Sequence, residues 1–518
     1  MKRYLLLPVL ICTCILVKAQ IPEDALRYSF FPQNGTARNL AIGGAMGSLG
    51  GDINATFVNP AGLGNYKTGE AVFTPGFLLN NNKINFRGTD NRNKKNAFNI
   101  GTIGLVYGQA NGNNSRSSQA ISLAFTQVAS YNNTLYYKGY NNTTSFAEQW
   151  AEEVAKSNLP IDDVLNFPEF AYGSAPAVYT YLVDTFNNGN GYTVKALPEF
   201  VLASGMALQQ EKTIATRGGL YEAALGFAFN HNDKWLWGAT VGIPIVYYDN
   251  TTTFKETDTS SNTSNYFQSF TYTDHYTTKG AGINLKLGVI YKPAEYIRLG
   301  LAVHTPSYMF NLKDRRNSSL EAFTENYRDG IPSSAVSSET FTNGQPGESR
   351  YNMVTPWKVM ISGSYVFREI QDVRKQKGFI TADIEYVRHK SSRFMSANEE
   401  PDELEKDYFN QLNQVIKGYY KGNFNFRVGG ELKFNIIMAR LGFAYYTNPY
   451  SDAALKASKM LLSGGLGYRH RGFFADLTYV HSFNKDVDVA YRLADKPSTF
   501  STIKNQRGNI VASIGVKF

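Results

Sequence analysis

The chain has 518 residues, with 52 Lys+Arg against 43 Asp+Glu, a formal net charge of +9, and two cysteines. A charge this modest, with no Lys/Arg block, excludes a nucleic-acid-binding surface; with Cys12 and Cys14 both in the N-terminal leader, disulfides, thiolate metal sites and a thiol nucleophile are excluded from the mature chain. Tyr and Phe number 34 each and Gly 45, yet mean hydropathy is negative, the balance expected of an outer-membrane β-barrel whose strands turn one face to a wet lumen.

Residues 1–19 read as a signal peptide: Lys2 and Arg3 open it, 5–17 is an apolar run, and Val17-Lys18-Ala19 precedes a cut before Gln20. The run is too short to span a bilayer as a helix, which needs about 20 apolar residues. Thr13, rather than Gly or Ala, precedes Cys14, so the leader cysteines are read as passive rather than lipidated. Loss of Lys2, Arg3 and Lys18 leaves 49 Lys+Arg against the 43 acids.

Residues 20–68 read as a compact plug. Gly43–Gly64 (GGAMGSLGGDINATFVNPAGLG) holds seven glycines and ends in Asn59-Pro60-Ala61-Gly62-Leu63-Gly64. It lacks period-2 alternation, and Pro60 with the glycine density opposes a stable helix.

From 69 to 518 the chain alternates, giving about fourteen strands, and no stretch after the leader reaches 18 apolar residues. Over 423–434, Phe424, Phe426, Val428, Leu432 and Phe434 oppose Asn423, Asn425, Arg427, Glu431 and Lys433. The stretches 283–291, 297–304 and 380–386 repeat this pattern, and charge along a whole face fits a polar lumen. Connections alternate short (230–235, 292–295, Asn435, 470–471) and long (137–216, 250–278, 306–350, 389–421, 447–460, 483–507). Short turns face the periplasm and long loops the outside, which puts the plug and the C-terminus on the periplasmic side of the outer membrane of a Gram-negative bacterium. Within the longest loop, 146–156 and 200–210 predict two helices, which either form a greasy landing groove or pack on the barrel rim. The last strand alternates to a terminal Phe518, resembling the signal read by the barrel-assembly machinery.

No catalytic constellation emerges: there is no Gly-x-Ser-x-Gly elbow, His-Glu-x-x-His or phosphate loop, so neither an enzyme nor a cofactor is expected. The six histidines form no pair at ligand spacing, and His275, His304, His389 and His481 are read as solvated residues near outer strand ends. The acidic run 399–407 lacks the spacing of a Ca²⁺ loop and is read as solvated. Lumenal charges of mixed sign (Lys286, Asp383, Glu385, Glu431, Lys433, Asp476) are expected to pair and seat the plug; Arg298 and Arg427 are the candidates to hold a ligand carboxylate.

On the plug segment 39–64 with its Asn59-Pro60-Ala61, the fourteen strands and the terminal Phe, the chain resembles the FadL/TodX-type outer-membrane transporters of hydrophobic compounds. The resemblance covers the mature chain in architecture and only the plug in motif. It implies an all-β transmembrane antiparallel barrel with an N-terminal hatch, taking fatty acids or similar molecules from the outer loops to a lumenal pocket and releasing them sideways into the membrane. Asn59, Pro60 and Ala61 would be the hatch motif, the third strand near 121–131 the kinked one, and 21–31 the segment reaching the pocket. The expected partners are a hydrophobic small molecule, outer-membrane lipid and the barrel-assembly machinery; the expected state is a monomer. A FadL-like barrel holding proteins of a secretion system is the alternative.

Overall fold

The computed structural model describes residues 22–518 except 188, 190, 329–332, 368–376, 454, 456 and 498; the leader read over 1–19 lies outside the described residues. Fourteen antiparallel strands pair in sequence order, and the last pairs with the first to close a barrel. Six of them are interrupted: β1 (Glu70–Phe73 and Pro75–Phe86), β2 (Thr89–Ile100 and Thr102–Asn111), β3 (Asn114–Ser130 and Asn133–Asn141), β7 (Ile297–His304 and Tyr308–Thr324), β8 (Gly347–Val354 and Lys358–Phe367) and β9 (Gly378–Arg388 and Arg393–Ser396). Continuous are β4 (Leu208–His231), β5 (Trp235–Asp258), β6 (Phe267–Ala294) and β10 (Gly422–Phe434). So are β11 (Ile437–Tyr446), β12 (Lys459–His470), β13 (Phe473–Tyr491) and β14 (Thr499–Lys517). Gly69 and Phe518 exchange backbone hydrogen bonds of 2.8 and 3.0 Å at the seam.

The alternation sorts faces as expected. On β10, Phe424, Phe426 and Leu432 are exposed outward while Asn425, Arg427 and Glu431 are buried inward. An outward apolar residue meets acyl chains, whereas an inward charge needs partners. Arg440 supplies them, bonding Glu431 and Asp476 at 2.6 Å each.

Residues 22–69 precede β1 and contain three short helices, α1 (Pro22–Arg27), α2 (Ala37–Ala41) and α3 (Ala55–Val58). Their polar contacts reach inward residues on many strands. The Ala37 amide donates to Ser513 Oγ at 2.8 Å, the Gly47 amide to Asp383 Oδ2 at 3.1 Å, and Thr56 Oγ1 lies 2.8 Å from Ser122 Oγ. Arg38 lies 3.7 Å from Glu431, the charge pairing expected to seat this segment. Gly238 leaves room for its backbone at Pro60-Ala61 and Gly288 for the Asn59 side chain, which a Cβ on either would strike.

The outer region departs from expectation. Stretches 250–278 and 483–507 were expected as loops, yet most of each is ladder: β5 runs to Asp258, β6 starts at Phe267, β13 ends at Tyr491 and β14 starts at Thr499. Outward apolar residues on β5 stop at Tyr247, and Asp249, Thr251, Thr253 and Lys255 follow in the same phase. The membrane pattern ends there while the hydrogen-bonded ribbon continues. In the loop after β3, α4 (Glu148–Ser157) carries Trp150 and Val154 into a buried core, where Phe146 stacks on Phe254 at 4.2 Å. The helix predicted at 200–210 is shorter, α6 (Pro198–Ala203), following α5 (Ser174–Tyr179), because Leu208 already joins β4. These helices bury Trp150, Val154, Val178 and Val201 in one core with Phe254, Phe267 and Phe270 of β5 and β6. The acidic run is solvated, as expected, but only its first half is loop: Asp402 accepts the Glu405 amide at 2.7 Å and caps α7 (Glu403–Tyr419). The buried face of α7, Phe409, Leu412 and Ile416, packs with Ala25 and Tyr28 of the N-terminal segment.

Glu256, nine residues beyond Tyr247 on β5, lies in this outer core and accepts from the Phe146 amide at 2.8 Å, from Ser145 Oγ and from Gln210 Nε2. Burial pushes its carboxyl up to about 7, against the opposing pull of those donors. The folded form therefore holds a proton that the unfolded chain, with a pKa near 4.3, releases earlier. The stabilisation is complete below about pH 4.3 and is lost as pH rises through about 7. Hydrogen exchange of the outer core should accelerate between pH 5 and 8 in the wild type, and that component should vanish in Glu256→Gln. Equal pH profiles would contradict the assignment.

Candidate ligand path through the barrel wall

Between β2 and β3 the ladder starts near Asn111 and Asn114 and runs to Thr102 opposite Thr126, where it stops. Beyond that point Thr89–Ile100 pairs with β1 and Asn133–Asn141 with β4, and no ladder joins the two among the described residues. Both strands are irregular there: β2 is interrupted at Gly101, while the register of β3 against β4 slips between Gln127 and Ala129 and the strand breaks at Tyr131-Asn132. A slip of this kind leaves backbone groups unpaired. The break falls between Ser130 and Asn133, at the end of the 121–131 stretch that the resemblance marks as the kinked strand.

Side chains take over the unpaired groups. Gln127 Oε1 accepts the Ile100 amide at 3.1 Å, and Asn34 Nδ2 donates to the carbonyls of Ile100 and Gln127 at 2.9 and 2.7 Å. Farther out, Asn80 donates to the Asn132 carbonyl at 3.1 Å and Asn91 to that of Lys138 at 3.0 Å. Such side-chain bridges part without breaking a ladder.

A cavity of about 280 Å³ lies against this seam. Asn99 and Gln127–Tyr131 form its wall at the seam; Phe30, Phe31, Leu40, Leu78, Leu461 and Val480 make much of it apolar. Its charged lining is Arg27, Lys459 and Arg507, with no carboxylate among the described residues. Arg27 is paired with Asp24, whereas Lys459 Nζ donates to the Phe30 carbonyl at 2.8 Å and Arg507 Nε to Asn80 Oδ1 at 2.6 Å. Neither Lys459 nor Arg507 has an ion-pair partner among the described residues. A second cavity of about 130 Å³ shares Phe31, Gln33, Asn34 and Val128 with the first. It is the more charged of the two, holding the Lys286–Glu222 pair and the Arg427–Glu385 pair at 2.8 Å.

The two arginines singled out from sequence are placed differently. Arg427 lines the smaller cavity with Glu385 already on its guanidinium. Arg298 donates to the Leu49 carbonyl at 3.0 Å and lines neither cavity. Of the stretch 21–31 that the resemblance put at the pocket, Arg27, Phe30 and Phe31 line the larger cavity and Tyr28, Ser29 and Phe31 the smaller. His304 and His389 are not solvated outer residues: His304 Nε2 meets the Val58 carbonyl at 2.9 Å, and His389 is buried beside Ser29 and the Phe30 ring. Arg507 and Lys459 were missed because 483–507 and 447–460 read as loops. Their phase was visible, since Arg507 alternates with Val511 and Ser513, and Lys459 with Leu461 and Ser463.

Asn59, Pro60 and Ala61 line neither cavity, although Phe57 and Val58 just before them line the smaller one. Asn59 accepts the Ala61 amide at 3.1 Å and donates to the Gly47 carbonyl at 2.6 Å and to Val289 on the wall at 3.3 Å. Asn59→Ala leaves buried groups unsatisfied at about 1–3 kcal/mol. Hydrogen exchange and protease cleavage within 37–66 should rise roughly tenfold or more; unchanged rates would exclude this anchoring role.

No family model matches the sequence, and no curated protein matches it. Solved structures do match. A FadL homologue of Pseudomonas aeruginosa is 14% identical with a TM-score of 0.53, the match covering 95% of this chain and 99% of that one. The P. putida toluene transporter TodX is 13% identical with a TM-score of 0.50, covering 94% and 99%. Identity at this level carries fold alone, and the agreement extends over nearly the whole of both chains: this chain has the fold of the FadL/TodX-type barrels.

Proposed function

We propose that the protein is a passive conduit for hydrophobic molecules across the outer membrane of a Gram-negative bacterium. A molecule enters between the outer loops, rests in the larger cavity, and leaves sideways through the β2–β3 seam into the bilayer. The N-terminal segment acts as the hatch that closes the lumen, with Asn59, Pro60 and Ala61 as its anchor on the wall. The observation that carries this reading is the coincidence of a missing ladder with a largely apolar cavity on the same stretch of wall. Energetics favour that exit: burial is worth about 0.8 kcal/mol per methylene, so a chain of a dozen methylenes would lose about 10 kcal/mol on entering the aqueous periplasm. Passage into lipid avoids that loss.

The ligand class we propose is a long-chain carboxylate, with Arg507 and Lys459 as the cations facing its head group. The shared fold with a FadL homologue and a toluene transporter supports a hydrophobic cargo. Native mass spectrometry of the detergent-purified protein, followed by uptake of the identified molecule into proteoliposomes, tests the reading. A co-purified amphiphile that is then taken up is the expected result. A lumen empty of lipid, with a secreted protein bound to the outer loops instead, would replace transport by the protein-binding alternative.

A further inference from the structure

The outward face of the barrel carries a second feature, on four adjacent strands whose inward faces help line the larger cavity. Lys485 of β13 stands opposite Lys504 of β14, Lys504 opposite Lys83 of β1, and Lys83 opposite Arg92 of β2. All four are exposed, and each is in phase with lipid-facing residues of its own strand. Six residues nearer the periplasmic end, the same four strands align Tyr479, Ile510, Phe77 and Phe98 in register. The cation row thus stands about 20 Å along the strands from an apolar row, at the outer edge of the lipid-facing belt.

Like charges directly opposite one another weaken a sheet, and here three successive cross-strand pairs are cation against cation. None of the four has a carboxylate partner among the described residues. In the neighbouring outward rows stand Lys94, which adds to the charge, and Asp90, which Asn85 Nδ2 engages at 2.7 Å. The row ends at β3, where Lys138 already faces Glu211 of β4. Strand spacing makes the unneutralised row about 14 Å wide. A soluble anion would meet it as loose counterion. A lipid whose acyl chains lie on the Tyr479–Phe98 row brings its head group to this height and holds it there.

We infer that the Lys485–Lys504–Lys83–Arg92 row is a docking site for the phosphorylated head group of an outer-leaflet lipid. The inference takes from the proposed function only the placement of this end of the barrel at the outer leaflet. Each lysine or arginine near a membrane surface adds to attraction for anionic lipid, in a salt-dependent way.

The test uses the full mature chain in a neutral detergent and three probes: diphosphoryl lipid A, a zwitterionic phosphatidylcholine, and inorganic phosphate. Diphosphoryl lipid A should bind in a salt-dependent manner and the other two should not compete with it. The combined variant Lys83→Gln, Arg92→Gln, Lys485→Gln and Lys504→Gln should weaken binding roughly tenfold or more, while Lys→Arg replacements at 83, 485 and 504 should retain it. Heat-modifiable migration on gels reports that each barrel is folded. Unchanged lipid A binding by the folded quadruple variant, equal binding of phosphatidylcholine, or displacement by inorganic phosphate would overturn the inference. Uptake is read separately: its absence with lipid binding intact would remove the transport reading alone.

Discussion

Joining β2 to β3 across the seam is expected to abolish uptake. Cys12 and Cys14 are the only cysteines of the sequence, so in a chain that starts at Gln20 two introduced thiols at Asn99 and Gln127 would be the only ones present. Both residues line the larger cavity, on opposite sides of the unpaired stretch. A short reducible cross-linker between them replaces side-chain hydrogen bonds, each worth about 1 kcal/mol net, with a covalent tie. If the ligand leaves here, uptake falls to the level of membranes without the protein and returns on reduction. The uncross-linked double variant, and each single variant treated with the reagent, keep uptake. Cavity occupancy should survive cross-linking, because the tie blocks exit and not binding. Full uptake through a verified cross-link would place the exit elsewhere.

Much of this geometry was legible from the chain, because a membrane strand writes its two environments into alternate residues. Phe424 and Phe426 against Asn425 and Arg427 fixed both the strand and its facing, whereas the expectation of a kinked third strand near 121–131 came from the resemblance alone. The pattern failed where the environment changed but the backbone did not. Past Tyr247 both faces of Asp249 to Thr253 are polar and half-buried, so the stretch looks like loop although it continues the ladder. The same failure hid Arg507 and Lys459, whose phase has meaning only once their segments are known to be strand. A missing ladder is a property of two segments more than a dozen residues apart, so neither shows it alone. His389 looked like a loop histidine because the Phe30 ring and Ser29 that bury it come from the other end of the chain.

Arg507→Gln should separate carboxylated from uncharged ligands. The side chain lines the larger cavity beside Lys459, holds Asn80 through Nε, and leaves the rest of its guanidinium without a carboxylate among the described residues. A charge-assisted hydrogen bond contributes roughly 1.5–3 kcal/mol, so its loss should raise the Kd of a long-chain carboxylate about 10- to 100-fold. The corresponding alcohol has the same tail and no charge, and its Kd should change by less than about threefold, since the apolar wall of Phe31, Leu78 and Val480 is untouched. Lys459→Met should act in the same direction, and more weakly if that ammonium stays committed to the Phe30 carbonyl. Arg427→Gln provides the contrast: it strips Glu385 of its partner in the smaller cavity and should lower stability without the carboxylate-over-alcohol selectivity. Equal weakening of acid and alcohol by Arg507→Gln would mean that the arginine only shapes the cavity. Selectivity lost in Arg427→Gln instead would move the head-group site to the smaller cavity and leave the larger one to the tail.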